Sequence, residues 1–344
     1  MLSAKNQQGE SVDWWFIYKT PKQSGNHSNQ GFDFFYYDHN SSFLALSPFG
    51  LDEKRSALGY TLGDVFKSSP DCGYISYNDE HANAEKNKSE KGHCKGVLAF
   101  NKRKNSALLL LHSTPRFPTK NELSLPEREA IFGQTYLCIT LPDYHTAERI
   151  AEQMLRQQNP QVLTESSYLP PDINSEESLS LLFHGGNIEE SRQPQTLSFT
   201  SKAGKRFLFI AKSRKWGKDF WIDLVSPQLK ADLVVETWRR GAVTPLRDTQ
   251  STSFDEDALT LKFNVNSYLS YEWPYTKDHS KWAVSLKNSG NILPWVCVGD
   301  MNRMVSQEKR GGGCLCFQEE NLWQALMHAE ERLHKPASTS VSHS

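Results

Sequence analysis

The sequence predicts an α/β chain of two tandem sheet-and-helix halves related by a pseudo-two-fold, residues 1–160 and 161–335, followed by a disordered tail, 336–344. Three observations carry this reading. The pattern His-x-Lys occurs twice, in "GHCKGVLAF" (92–100) and "DHSKWAVS" (278–285), each time opening an apolar run. A glycine-bearing turn then feeds a short apolar strand with cysteine at the same offset, "FGQTYLCITL" (132–141) with Cys138 and "RGGGCLCF" (310–317) with Cys316. Finally, the order strand, helix, strand, His-x-Lys strand, strand, glycine turn, strand, helix recurs in full. Strands and helices alternating in this way imply sheets covered by helices.

The elements follow in chain order. "DWWFIYK" (13–19) and "KRFLFIAK" (205–212) read as strands ending in lysine, being rich in aromatic and β-branched residues. "YTLGDVFKS" (60–68) and "KDFWIDLVS" (218–226) read as short helices, and "CGYISYND" (72–79) and "ADLVVETW" (231–238) as the next strands. After each glycine turn comes a helix. In "TAERIAEQMLRQQ" (146–158), Thr146 is the expected N-cap, with Ile150, Met154 and Leu155 on one face; "ENLWQALMHAEERL" (320–333) carries Leu322, Leu326 and Leu333 at helical spacings. The boundary between halves is expected between 157 and 203, where turn residues are dense, and 20–50 and 240–275 read as long insertions.

Composition narrows the function classes. Of 344 residues, 23 % are charged and 38 % hydrophobic, a globular balance rather than a disordered one. The longest apolar runs, "ALLLL" (107–111) and "FLFIA" (207–211), are far too short to span a bilayer, and no stable membrane association is expected. The start has no apolar h-region, so no secretory signal is visible in this numbering. Six cysteines do not form two C-x-x-C knuckles, which argues against structural zinc, and their even count permits disulfides. A net charge of -1 gives no case for nucleic acid at neutral pH. Eleven histidines change this in acid, where the chain gains roughly ten positive charges by about pH 5.

On a strand, residues two apart share a face, so each His-x-Lys aims an imidazole and an ammonium at one point. If the halves meet symmetrically, His93, Lys95, His279 and Lys281 converge. Two imidazoles are too few ligands for a metal and ammoniums repel a cation, so neither metal nor other cofactor is expected. The set suits phosphoryl transfer: one imidazole attacks phosphorus, the other protonates the leaving alcohol, and the lysines hold the phosphoryl oxygens. The strand that follows in each half adds His112 and Ser113 in the first and Asp300 and Asn302 in the second. Gln134 and Arg310 stand at the two glycine turns as supporting or phosphate-binding residues. Lys19, Lys212, Arg214, Lys215 and Lys218 are candidate phosphate contacts.

The motifs "DWWFIYKTP", "YND" (77–79), "GHCKGVL", "LLHSTPRFP", "GQTYLC", "DHSKWAVS", "VCVGDMNR" and "EKRGGG" followed by "LC" run nearly end to end. With them the chain resembles the deoxyribonuclease II family of acid DNases, whose fold is similar to the phospholipase D pseudo-dimer. The resemblance implies a metal-independent endonuclease on double-stranded DNA that leaves 3'-phosphate and 5'-hydroxyl ends. Its catalytic pairs fall on His93 with Lys95 and His279 with Lys281, and a further important histidine falls on His112. His279 is the preferred covalent nucleophile. The resemblance also implies lysosomal or secreted placement in a eukaryote, and periplasmic, secreted or cytoplasmic placement in a bacterium; one chain supplies both half-sites, and a homodimer is compatible with that. One departure stands out: the wider superfamily has Asp in H-x-K-x-x-x-x-D, where this chain has Phe100 and Leu286. Something else must orient the imidazoles, with Asn302, Asp300 or a backbone carbonyl as candidates. A phospholipase or other phosphodiesterase, or an inactive DNA-binding relative, are the rival readings.

Overall fold

The computed structural model of the chain describes residues 1–22, 29–67, 70–80, 90–119, 122–186, 189–243, 255–286 and 293–334, and the 336–344 tail lies outside them. It is a mixed α/β structure. Among the described residues, one seven-stranded antiparallel sheet runs, in spatial order, Ala45–Leu46, Phe34–Asp38, Trp14–Lys19, Gln134–Leu141, Ser106–His112, Gly96–Asn101 and Gly73–Tyr77. A nine-stranded sheet runs Gln195–Thr200, Arg206–Lys212, Gly312–Gln318, Trp295–Gly299, Lys281–Ser285, Leu233–Thr237, Asp255–Asn264 and Ser270–Pro274, with Glu330–His334 also paired to Asp255–Asn264.

Five consecutive strands of each sheet match in order and in register. Lys19 pairs with Gln134 and Lys212 with Gly312. Gly96, the residue after Lys95, pairs with Leu111 on one side and Tyr77 on the other. Trp282, the residue after Lys281, pairs with Val298 and Glu236. These pairings make Ser113 and Asp300 equivalent positions, and likewise Asp79 and Trp238, Gly133 and Gly311, and Phe132 and Arg310. His112 falls opposite Gly299.

Period-two alternation builds the core. Trp14, Phe16 and Tyr18 join a cluster that also takes Leu109, Leu137 and Ile139 from the first sheet and Phe209, Val296, Val298 and Phe317 from the second. Trp15 and Ile17 face the other way, against helix Ala57–Phe66 through Leu58, Leu62 and Val65. The far face of the second sheet, with Ile210, Val235 and Ala283, packs on Phe220, Trp221 and Val225. Each sheet is therefore apolar on both sides, which is why its strands read as near-continuous apolar runs.

Several local expectations are corrected. Helix Tyr144–Gln153 is capped by Asp143, which accepts from the Thr146 backbone N–H at 2.7 Å and its hydroxyl at 2.8 Å; Thr146 is inside the first turn. A carboxylate one turn earlier outcompetes the hydroxyl for the free N–H groups. Helix Glu320–His328 stops before Leu333, which lies in strand Glu330–His334. Within the expected insertion 240–275, Asp255–Asn264 and Ser270–Pro274 are strands of the second sheet. A disulfide joins the cross-strand neighbours Cys297 and Cys316, and Cys72, Cys94, Cys138 and Cys314 are free thiols.

Candidate active site

The two glycine turns cross between the halves. The His93 backbone N–H donates to Gly311 O, and the His279 N–H donates to Gly133 O, both at 2.8 Å. A β-carbon on Gly133 would lie 2.5 Å from an Asp278 carboxylate oxygen, and one on Gly92 would lie 2.0 Å from Gln158 O. Side chains are excluded at both crossings, and the glycines let each histidine segment rest on the opposite turn. Each turn is in turn held by a buried lysine. Lys19 Nζ donates to Thr20 O, Ala130 O and Phe132 O at 3.1, 3.4 and 2.6 Å. Lys212 Nζ donates to Gln307 O, Glu308 O and Arg310 O at 3.3, 2.8 and 2.7 Å. Their expected role as surface phosphate contacts is therefore corrected: Lys19 is 1 % exposed and Lys212 0 %. Burial pulls their ammoniums down to about 7 and about 8, against the pull of nearby carboxylates.

In the first half, His93 and Lys95 do reach one point. Lys95 Nζ forms an ion pair with Asp79, whose other oxygen is 3.8 Å from His93 Nε2 and 3.1 Å from the Arg310 guanidinium. Arg310 also donates to Lys91 O at 2.9 Å and Gly92 O at 3.3 Å. His93 Nδ1 is 2.5 Å from the Asp300 backbone carbonyl. That geometry makes Nδ1 the protonated nitrogen of the neutral ring and leaves Nε2 as its lone pair. Burial, then the charge of Lys95, holds His93 well below the ordinary histidine value, with Asp79 opposing and Arg310 and Lys281 adding to the shift. Asp79 is itself acidified: burial is overridden by Lys95, His93 and Arg310.

The second half is built differently. His279 Nδ1 is 3.2 Å from Glu129 Oε2, and its buried Nε2 has no partner among the described residues. Its ring lies flat on Phe132, centroids 3.8 Å apart and planes 13° apart, with Trp238 at 4.4 Å. Burial lowers its pKa, Glu129 opposes and Lys281 adds to the lowering. Lys281 donates to the His279 carbonyl, and burial together with the charge of Lys95 brings it down to about 7. Lys281 also contributes to the lowering of His93, as Lys95 does to that of Lys281.

The supporting residues fall into distinct roles. Ser113 donates to Gln134 Oε1 at 2.5 Å, and Gln134 Nε2 donates to Glu129 Oε2 at 3.2 Å, so these two buried residues fix the carboxylate that holds His279. Burial raises the Asp300 carboxyl to about 8, with Lys95, the Gly313 N–H and Lys281 opposing, and it accepts from Gln158 Nε2 at 3.0 Å. Asn302 is buried, its side-chain oxygen without a hydrogen-bond partner among the described residues. His112 is 1 % exposed, in ring contact with Phe117 and Tyr136. Among the described residues, neither of its nitrogens meets hydrogen-bond geometry, and burial followed by Lys95 pushes it down to about 3, partly offset by the Thr114 backbone. Arg214, Lys215 and Lys218 are exposed; Arg214 pairs with Glu190 at 3.2 Å, Lys215 donates to Glu190 O at 3.1 Å, and Lys218 stands over Trp216.

Sequence reasoning missed Asp79, Glu129, Phe132 and Trp238 as site residues. The Glu129 signal was present in principle: a carboxylate three residues before the Phe132–Gly133 turn that crosses to His279. Leu286, where an aspartate was sought, is buried in the core, and the carboxylate comes from the other half instead.

In comparisons with known proteins, the family model described as "Deoxyribonuclease II" matches residues 3–335. A Burkholderia pseudomallei (strain 1710b) protein named "Putative deoxyribonuclease-2" is 40 % identical over 350 residues, 99 % of this chain and 95 % of its own. The Caenorhabditis elegans protein "Deoxyribonuclease-2" is 33 % identical over 94 % of this chain and 91 % of its own. The Mus musculus protein "Deoxyribonuclease-2-beta" is 30 % identical over 94 % of this chain and 90 % of its own. The chain belongs to the deoxyribonuclease II family and is a nuclease.

Proposed function

We propose that the chain is an endonuclease that hydrolyses double-stranded DNA without a divalent metal, through a phosphohistidine, leaving 3'-phosphate and 5'-hydroxyl ends. The observation that carries this reading is the pair of imidazoles held at Nδ1, His93 by the Asp300 carbonyl and His279 by Glu129, with His93 Nε2 3.8 Å from Asp79, the partner of Lys95 and Arg310, and His279 Nε2 without a partner among the described residues. Ammonium and guanidinium groups around two imidazoles attract a phosphate and repel a cation. Matching strand order and register support two copies of one unit, 1–160 and 161–335, arranged as a phospholipase D-like pseudo-dimer.

His279 is the nucleophile in this reading. Its Nε2 lone pair attacks phosphorus, the bond to the 5' oxygen breaks, and His93 Nε2–H gives that oxygen its proton. Neutral His93 then takes a proton from water, whose oxygen attacks phosphorus as the bond to His279 Nε2 breaks. Lys95, Lys281 and Arg310 hold the non-bridging oxygens through both steps. The pKa directions account for acid operation. His93 must be protonated to act first, and burial with three neighbouring cations makes that harder as pH rises. Lys281, at about 7, is a cation only below that value. DNA lies along the rim that carries Arg214, Lys215 and Lys218, with contacts to the backbone rather than to base edges.

Plasmid cleavage in excess EDTA at pH 5 and pH 7.5 tests the reading. Cutting at pH 5 that fades by pH 7.5 is expected; cutting only after magnesium is added contradicts it.

A further inference from the structure

The four groups that surround the two histidines at equivalent positions divide by chemistry. Beside His93 they are Asp79 and Arg310, an ion pair at 3.1 Å. Beside His279 they are Trp238 and Phe132, ring centroids 6.1 Å apart. Phosphate needs the first kind of surface. The second offers it nothing, yet it is placed against the reacting imidazole and is only half-buried at both rings.

We propose that Trp238, with Phe132 at its edge, is a stacking subsite for a nucleobase next to the scissile phosphate. This rests on the nuclease reading above. Three features support the assignment. The guanidinium of exposed Arg240 lies over the Trp238 ring, 5.0 Å from its centroid, marking a face that a flat π-system can reach. Arginine stacked on an indole is readily exchanged for a base, after which the guanidinium is free for a neighbouring phosphate. The Trp238 indole N–H also has no acceptor among the described residues. A nucleotide presents to it what the protein does not: acceptor oxygens on base, sugar and phosphate. Ile131, exposed beside Phe132, extends the apolar lip.

The consequence is structural as well as energetic. A base that lies flat on Trp238 has left its own stack, so the duplex is unpaired locally at the cut. Every base has a π-face, so such a subsite adds affinity without sequence preference. The site then has a phosphate-holding end at His93 and Arg310, and a base-holding end at His279 and Trp238.

Binding of two fluorescently labelled strands of equal charge tests this: ten-residue oligothymidylate and a ten-residue tetrahydrofuran (abasic) phosphodiester. Kd is read by anisotropy at pH 5 in EDTA, in the His93→Ala background to stop turnover. Oligothymidylate should bind about tenfold more tightly. Trp238→Ala and Trp238→Leu should each bring that ratio to about one, while Trp238→Phe should keep most of it. The ratio between two ligands cancels any general weakening, and leucine fills the space if alanine fails to fold. A ratio near one in the unaltered subsite, or one unchanged by Trp238→Leu, overturns the proposal. If His93→Ala itself still cuts plasmid at the original rate, the nuclease mechanism has failed instead, which is a separate result.

Discussion

His93 and His279 open equivalent strands, rest on equivalent glycine turns and precede lysines at the same spacing, yet their surroundings have opposite chemistry. His93 is fixed by a neutral backbone carbonyl and is crowded by charge: Lys95, Asp79, Arg310 and, further off, Lys281. His279 is fixed by a carboxylate and crowded by rings, Phe132 and Trp238. In the proposed mechanism, a carboxylate at Nδ1 stabilises the positive charge that would form when Nε2 bonds to phosphorus, as it does for an imidazolium in acyl-transfer triads. A cationic neighbourhood makes His93 a strong acid once protonated and a ready proton acceptor only briefly. Two sheets with matching strand order and register thereby carry two histidines in different surroundings, and the difference lies in residues brought from across the fold.

The largest effects should come from the imidazoles themselves. His279→Ala and His93→Ala should both fold and both lose on the order of 10³-fold in DNA cleavage, in the range of a lost nucleophile or acid. The comparison sharpens with thymidine 3'-(p-nitrophenyl phosphate), whose nitrophenolate leaves without a proton. His93→Ala should release nitrophenolate as a burst of about one equivalent and then stall, whereas His279→Ala should give no burst. Equal release in both would erase the distinction.

The groups that hold each ring come next. Glu129→Gln should lower kcat on the order of 10²-fold. Because Glu129 raises the pKa of His279, its loss should also move the acid limb of the pH–rate profile to lower pH. Asp79 raises the pKa of His93, so Asp79→Asn should move the alkaline limb down instead. Rate profiles from pH 3.5 to 8 separate the two; a shift of the same limb in both variants would contradict the assignment.

A smaller effect is expected at Lys281. Its pKa of about 7 means that the ammonium is charged below pH 7 and neutral above it. KM for DNA should therefore rise as pH passes 7, and Lys281→Arg, charged throughout, should remove much of that rise. A KM profile identical in the two proteins would exclude Lys281 as the titrating contact.

The smallest concerns stability. His112 titrates at about 3 in the fold and near 6.5 when unfolded, so between those values only the unfolded chain binds the proton. Stability is therefore lost as pH falls from 6.5 toward 3, by at most about 1.4 kcal/mol per pH unit from this group. His112→Asn, which does not titrate, should flatten Tm between pH 6.5 and 4.5; an unchanged slope would assign the loss to other groups.

How much of this was legible in the sequence depends on where the information sits. The His-x-Lys pairs, the glycine turns and most strands are local patterns, and period and spacing were enough to find them. Lys19 and Lys212 misled because a lysine at a strand end ordinarily lies in solvent; three carbonyls around each are a tertiary arrangement with no sequence signature. Leu333 kept helical spacing, but pairing with strand Asp255–Asn264 prevailed over the local period. Glu129 lies 150 positions from the histidine it holds. Asp79 and Trp238 look unrelated until register makes them equivalent. The difference in surroundings between the two histidines was therefore the part that only the fold could reveal.

Trapping the covalent intermediate tests the proposed roles of the two histidines most directly. The His93→Ala protein, mixed with thymidine 3'-(p-nitrophenyl phosphate) in EDTA at pH 5 and quenched in alkali, should accumulate a thymidine 3'-phosphoryl adduct, because the general base for its hydrolysis is gone. Peptide mass spectrometry should place that adduct on His279. An adduct on any other residue, or nitrophenolate release with no adduct at all, would contradict the account.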